Sequence, residues 1–225
     1  MNFVSHYYCA KIEHPYYSLG VLFPDIFNKF SYFHNKFFSK FNPELLDENE
    51  RMIWNGIEQH YKDDAYFHNS FDFKHFNAQI EIEIAQSELL SRLKRRYLVS
   101  HILYELILDY LIIQYQPNIV LSIYKDLEVC NKSVIHYFLE KIMEKHTEID
   151  LFLESYDRFI LRRFLNFYSE EHNLVKALHR VTGKISDWEY NEDSEGEFLN
   201  VIKKIKSEIN FGKTFENIKS HKIIS

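Results

Sequence analysis

Only two cysteines, Cys9 and Cys130, occur in the 225 residues, and neither belongs to a C-x-x-C pair. That scarcity excludes a disulfide framework and a thiolate zinc knuckle, and it makes a reducing compartment, the cytoplasm, the expected location. Glycine and proline are also sparse, at 5 and 4, so the residues that punctuate short strands and tight turns are few. Long elements with few breaks are expected. The chain carries no glycine-rich phosphate loop, no Pro/Gly-rich linker, no internal repeat and no low-complexity tract. Basic residues are not in surplus: 27 Lys and Arg stand against 33 Asp and Glu, a net charge of −6. A broad footprint for nucleic acid or an anionic membrane is thereby excluded, which leaves only a local basic patch. The segment from Met1 to Tyr8 lacks the basic region and the unbroken apolar run of a secretory signal, so secretion is not expected. The most apolar stretch, Leu98 to Tyr115, contains His101, Glu105, Asp109 and Gln114, each costly in hydrocarbon. It reads as a core helix, and neither a membrane nor a nucleic acid is an expected partner.

Apolar residues recur at helical spacing along most of the chain. Asn42-Pro43-Glu44 supplies a cap and a proline at the first helical position, which predicts a helix through residue 68. Phe76, Ile80, Ile84 and Leu89 predict a second from Phe73 to Tyr97; the alternation at 81–84 also fits a strand, but the length of the segment favours helix. Leu98–Tyr115 ends at Pro117-Asn118, and helices are expected around 119–129 and 133–146. Thr147 with Asp150 has the form of a capping box, and Ser169-Glu170-Glu171 opens a helix that ends near Gly183. Asn191 to Gly196 is an acidic, turn-forming interruption before a C-terminal helical extension over 197–225. The sum is an all-α fold: one domain over residues 1–225, an irregular bundle of about eight helices.

Two polar stripes could carry chemistry. His60, Asp64 and His68 fall at i, i+4 and i+8 of a predicted helix, so they lie along one face. His101, Glu105 and Asp109 repeat that spacing inside the most apolar helix. Imidazole and carboxylate are the donors that suit divalent ions, and a carboxylate facing an apolar core needs a metal or a cationic partner. The bland alternative is a narrow wet face on each helix. His6, in an apolar and aromatic decapeptide, and Asp25, after Pro24, are further candidates; a satisfied core histidine and a turn aspartate are their ordinary readings. Two basic clusters, Lys94-Arg95-Arg96 and Arg158 with Arg162 and Arg163, read as solvated helix faces or as docking patches for an acidic partner. The aromatic run Phe27, Phe30, Tyr32, Phe33, Phe37 and Phe38 reads as core or interface.

Taken in order, Met1-Asn2-Phe3-Val4-Ser5-His6, Gly20 to Asp25, Gly56-Ile57 with His60, Asp64 and His68, then Leu103-Tyr104-Glu105-Leu106 and Phe164 to Tyr168 with Ala177-Leu178 resemble the acyl-carrier-protein phosphodiesterases. The resemblance spans residues 1 to 185 of the chain. It implies a helical fold similar to the HD-type phosphohydrolases, with a divalent metal and hydrolysis of a phosphodiester such as the one joining 4′-phosphopantetheine to a serine of acyl carrier protein. Carried over by position, Asp25, His60, Asp64, His101 and Glu105 are the expected metal ligands, and His6, Asp64 and His68 the expected catalytic groups. Manganese or magnesium is the expected ion, with zinc, iron or nickel open to a histidine-rich site. Acyl carrier protein or another phosphodiester is the implied partner. The sequence departs from the family at Leu106, where the family has a histidine, at Tyr61, where it has an arginine, and at Val21, where it has an asparagine. Loss of that histidine and arginine removes donors suited to phosphate, so a non-catalytic metal-binding or partner-binding protein of the same fold is the alternative.

Overall fold

The computed structural model describes residues 1–10, 12–27, 42–143 and 148–216. As expected the fold is all-α, with no strand among the described residues. In chain order the helices are α1 Phe3–Tyr8, α2 Pro15–Ile26, α3 Glu48–Asn69, α4 Phe71–Gln86, α5 Arg96–Tyr115, α6 Ile119–Val129, α7 Lys132–Ile142, α8 Ile149–Arg162, α9 Glu171–Ser186 and α10 Glu192–Glu208. Short 3-10 turns lie at Pro43–Leu45, Leu90–Arg92 and Phe164–Ser169.

The differences from the expected bounds come from small polar residues that offer the backbone an alternative to the helix ladder. Asn42 accepts from the Glu44 N–H at 3.0 Å, but the turn it caps stops at Leu45. The true start of α3 is a capping box: Asp47 accepts from Glu50 N–H at 2.9 Å while the Glu50 carboxylate accepts from Asp47 N–H at 2.8 Å. The predicted Phe73–Tyr97 helix breaks at Ser87, whose hydroxyl accepts from Leu90 N–H at 2.9 Å and opens a 3-10 turn. Arg95, in the left-handed region at φ 52°, then resets the chain for α5. The acidic interruption at Asn191 is itself the start of α10, with Asn191 and Ser194 bonded reciprocally at 2.8 and 3.0 Å. Glu192, Asp193 and Glu195 sit in that first turn, where the helix dipole favours negative charge. Thr147, and all of the aromatic run except Phe27, lie outside the described residues.

The helices gather into two compact units, the first comprising Met1–Ser5, Asp64–Pro117 and Leu165–Ser225, the second His6–Asp63 and Asn118–Phe164. In the first, α5 packs on α4 and α9, and α10 packs on the same two helices. Leu103, Tyr104, Ile107, Leu108 and Ile112 of α5 are fully buried, each apolar side chain contributing roughly 1.5–3 kcal/mol. The Tyr104 ring stacks with Phe67 and Phe76 at centroid distances of 5.9 and 5.4 Å. α5 is long and apolar enough to cross a membrane, but 61% of its most apolar window is buried, as in a core helix.

In the second unit α2 packs on α6 and α8, and α7 on α8. Phe23 is the centre of an aromatic core, 4.4 Å from Phe27, 5.9 Å from Phe138 and 6.2 Å from Phe152 between ring centroids. α2 and α3 cross in backbone contact at two glycines. A Cβ on Gly20 would stand 2.1 Å from the Ile53 carbonyl oxygen, and one on Gly56 would stand 2.4 Å from that of Tyr17. No other residue fits that crossing without moving a helix.

Candidate metal centre

In the first unit the polar stripe of α5 faces the end of α3 and the first residues of the chain. His101 and Glu105, one turn apart, meet His68. The Nε2 atoms of His68 and His101 each lie 3.1 Å from Glu105 Oε1, and the two imidazole centroids are 4.7 Å apart. Phe73 packs against both rings at 4.9 Å, which fixes their orientation. The Met1 amino group donates to the same Glu105 oxygen at 3.0 Å and to Asp64 Oδ1 at 2.7 Å. Four of the predicted site residues, Asp64, His68, His101 and Glu105, are thus drawn to one place. Glu105 is the floor, with a side chain 10% exposed, whereas His68 and His101 are 32% and 22% exposed. The imidazoles are therefore within reach of a ligand.

The electrostatics separate the two buried carboxylates of α5. Burial by itself would raise the Glu105 carboxyl, yet the Met1 ammonium and the imidazoles of His101 and His68 hold it well below the ordinary carboxylate range. The Met1 ammonium is penalised by burial, but Glu105 and Asp64 carry it up to about 11. Asp109, one turn farther along, is fully buried and pushed up to about 7 by desolvation. It accepts from Val4 N–H at 3.1 Å, Ser5 N–H at 2.8 Å and the Ser5 hydroxyl at 2.6 Å. Those are N–H groups of the first turn of α1, so Asp109 is an N-terminal cap supplied from a distant helix. Sequence spacing placed Asp109 in the same stripe as Glu105, but its partners are 104 and 105 residues away, and no local signal distinguishes an anchor from a ligand.

The donor set fits a metal. One imidazole nitrogen each of His68 and His101 and a Glu105 oxygen all lie within 4.8 Å of one another. Ligands held about 2.1 Å from a tetrahedral ion stand roughly 3.4 Å apart, close to the 3.1 Å found between each imidazole and the carboxylate. His68, His101 and Glu105 could therefore hold a divalent ion with little movement.

The second unit has its own imidazole pair. His6 and His60 are buried, at 0% and 3% exposure, with ring centroids 3.8 Å apart and planes inclined by 20°. His60 Nδ1 lies 2.8 Å from the Val21 carbonyl oxygen, which assigns the N–H to Nδ1 and leaves Nε2 as the acceptor nitrogen of that ring. The glycine crossing of α2 and α3 brings the Val21 carbonyl to His60. At Val21 it is the backbone that acts, so the missing asparagine side chain costs this bond nothing. Asp25 is half-buried on α2, one turn beyond Val21, and is in none of the three-donor sets found among the described residues. Leu106, where the resemblance called for a histidine, is 2% exposed and belongs to the core.

No protein-family model, curated protein or solved structure matches the chain.

Proposed function

We propose that the chain is a metal-dependent phosphoric ester hydrolase of the helical HD-like kind, resembling the acyl-carrier-protein phosphodiesterases, with its ion on His68, His101 and Glu105. The observation that carries this reading is the convergence of both imidazoles on one oxygen of a carboxylate that is kept ionised. Two imidazoles and a carboxylate favour manganese, zinc, iron or nickel over magnesium, which takes oxygen donors and keeps its waters. A divalent ion bound there would supply Lewis acidity toward a phosphoryl oxygen and a nucleophilic water at neutral pH. Glu105 holds and orients the two imidazoles. Asp64, a turn before His68 on α3, adds the second carboxylate, and its exposure of 29% leaves it open to a ligand. His68, with a side chain 32% exposed, is the most open of the three ligands.

The test is hydrolysis of bis(p-nitrophenyl) phosphate and of holo-acyl carrier protein by purified protein with Mn²⁺ or Zn²⁺. The expected result is metal-dependent turnover that is lost in Glu105→Gln and in Asp64→Ala. Absence of turnover on either substrate, with the ion bound, contradicts hydrolysis and favours the second reading, a helical protein that binds an ion without this chemistry. Leu106 supports that second reading, because a position that would offer a phosphate donor is given over to packing.

A further inference from the structure

A second polar site in the first unit shares no residue with the His68, His101 and Glu105 group. A cleft of about 990 Å³ opens at the C-terminal end of α9; its lining holds three cations, Lys176, Arg180 and Lys184, two acids, Asp187 and Glu189, and the rings of His179, Trp188 and Tyr190 beside Gly183. Lys176, Arg180 and Lys184 recur every fourth residue, so three cations share one helix face. None of the three forms an ion pair with a described residue, and like charges at this spacing oppose the helix. Of the two acids in the lining, Asp187 is already held by Lys94 Nζ at 2.6 Å, and the Lys94 N–H donates to the Ser186 carbonyl at 3.0 Å. Lys94 is thereby brought to the same end of α9, where its ammonium offsets the Asp187 carboxylate.

The aromatic wall is built and held from behind. Asp187 adopts the left-handed conformation at φ 57°, and the Trp188 N–H returns to the Gly183 carbonyl at 3.1 Å, which turns the indole back along α9. Its Nε1 donates to Thr182 Oγ1 at 3.1 Å, and the Tyr190 hydroxyl donates to Glu195 at 2.5 Å. With their polar tips engaged, the half-buried rings of Trp188 and Tyr190 present apolar surface to the cleft. The His179 ring meets Trp188 edge-on at 4.8 Å. It can do so because residue 183 is glycine: a Cβ there would stand 2.5 Å from His179 Cδ2. A glycine inside a helix costs about 1 kcal/mol relative to alanine, and here it makes room for that imidazole.

We propose that this cleft binds a nucleoside phosphate, with the base against the Trp188 ring and the phosphates on Lys176, Arg180 and Lys184. Unpartnered cations beside a rigid indole match a ligand that is anionic at one end and planar and apolar at the other. A free nucleotide and a single-stranded nucleic acid offer the same chemistry. The protein contains two tryptophans, and Trp54, in the second unit, is 2% exposed; Trp54→Phe therefore leaves Trp188 as the sole indole reporter.

The test titrates full-length Trp54→Phe with ATP, adenosine, inorganic phosphate, a short oligothymidylate and polyglutamate in the presence of EDTA. Calorimetry on the unsubstituted chain guards against a defect of the variant. Saturable quenching by ATP is expected, with adenosine and phosphate each at least about tenfold weaker and Arg180→Ala weakening ATP by about tenfold. Gly183→Ala, which displaces His179 from Trp188, weakens it further, and EDTA separates the titration from the metal centre. Tighter binding of oligothymidylate than ATP assigns the cleft to a single strand, and the reverse order assigns it to a free nucleotide. Absence of saturable binding by both, binding of polyglutamate alone, or an ATP affinity unaffected by Arg180→Ala and Gly183→Ala in folded protein overturns the proposal.

Discussion

The two units each bury or half-bury a pair of imidazoles, and they treat them differently. In the first, His68 and His101 keep partial exposure and share an ionised carboxylate, Glu105. In the second, His6 and His60 are stacked and buried, and His60 is tied to a neutral backbone carbonyl. A carboxylate partner attracts a cation, whether a proton or a metal, while a carbonyl partner only fixes a tautomer. The contrast gives the first pair an ionised carboxylate partner and gives His60 of the second a backbone carbonyl that fixes its tautomer.

The largest expected effect comes from removing the carboxylate. Glu105→Gln leaves the buried Met1 ammonium with Asp64 as its one remaining anion, and a loss of about 3–5 kcal/mol in urea denaturation is expected. The same variant should bind a divalent ion about 100-fold more weakly; unchanged affinity would place the ion elsewhere. Gly56→Ala drives a methyl group into the Tyr17 carbonyl and should cost about 3 kcal/mol in the same assay. A neutral outcome there would show that the α2 and α3 crossing does not set the position of His60.

The two carboxylates of α5 should leave opposite marks on stability against pH. Glu105 is depressed, so its contribution is present above its unfolded value of 4.5 and fades as pH falls below it. Asp109 is raised from 3.8 to about 7, so the folded state holds its proton more tightly and stability falls as pH rises through that interval. In Asp109→Asn the decline between pH 3.8 and about 7 should flatten in thermal melts taken across that range. A slope unchanged by the substitution would assign the decline to another group. The smallest effect is that of His60→Gln: losing one hydrogen bond to Val21 should cost about 1 kcal/mol and leave ion affinity within about twofold. A tenfold loss of affinity would extend the metal centre to His60.

Much of the helical pattern is legible in local sequence, because caps and prolines act within a turn of themselves. α6 runs over Ile119–Val129, between the signals at Pro117-Asn118 and Asn131. The breaks at Asp47 and Ser87 are not legible, since the apolar period continues across both and only a serine or aspartate side chain accepting from the backbone N–H three residues on marks the boundary. Of the site, the one-turn spacing of His101 and Glu105 and the end of α3 at His68 could be read from a single helical stripe. That Asp109 caps α1 could not, nor that Lys94 closes on Asp187 across 93 residues, because those pairings exist only once distant helices meet.

Whether His68, His101 and Glu105 form a metal centre is decided by titration calorimetry with Zn²⁺ on the full chain and on His101→Ala. One ion per chain is expected in the unsubstituted protein, with an affinity at least about 100-fold lower in His101→Ala and helix content retained. Binding of equal strength in both proteins, or no stoichiometric binding in either, would contradict a metal centre there.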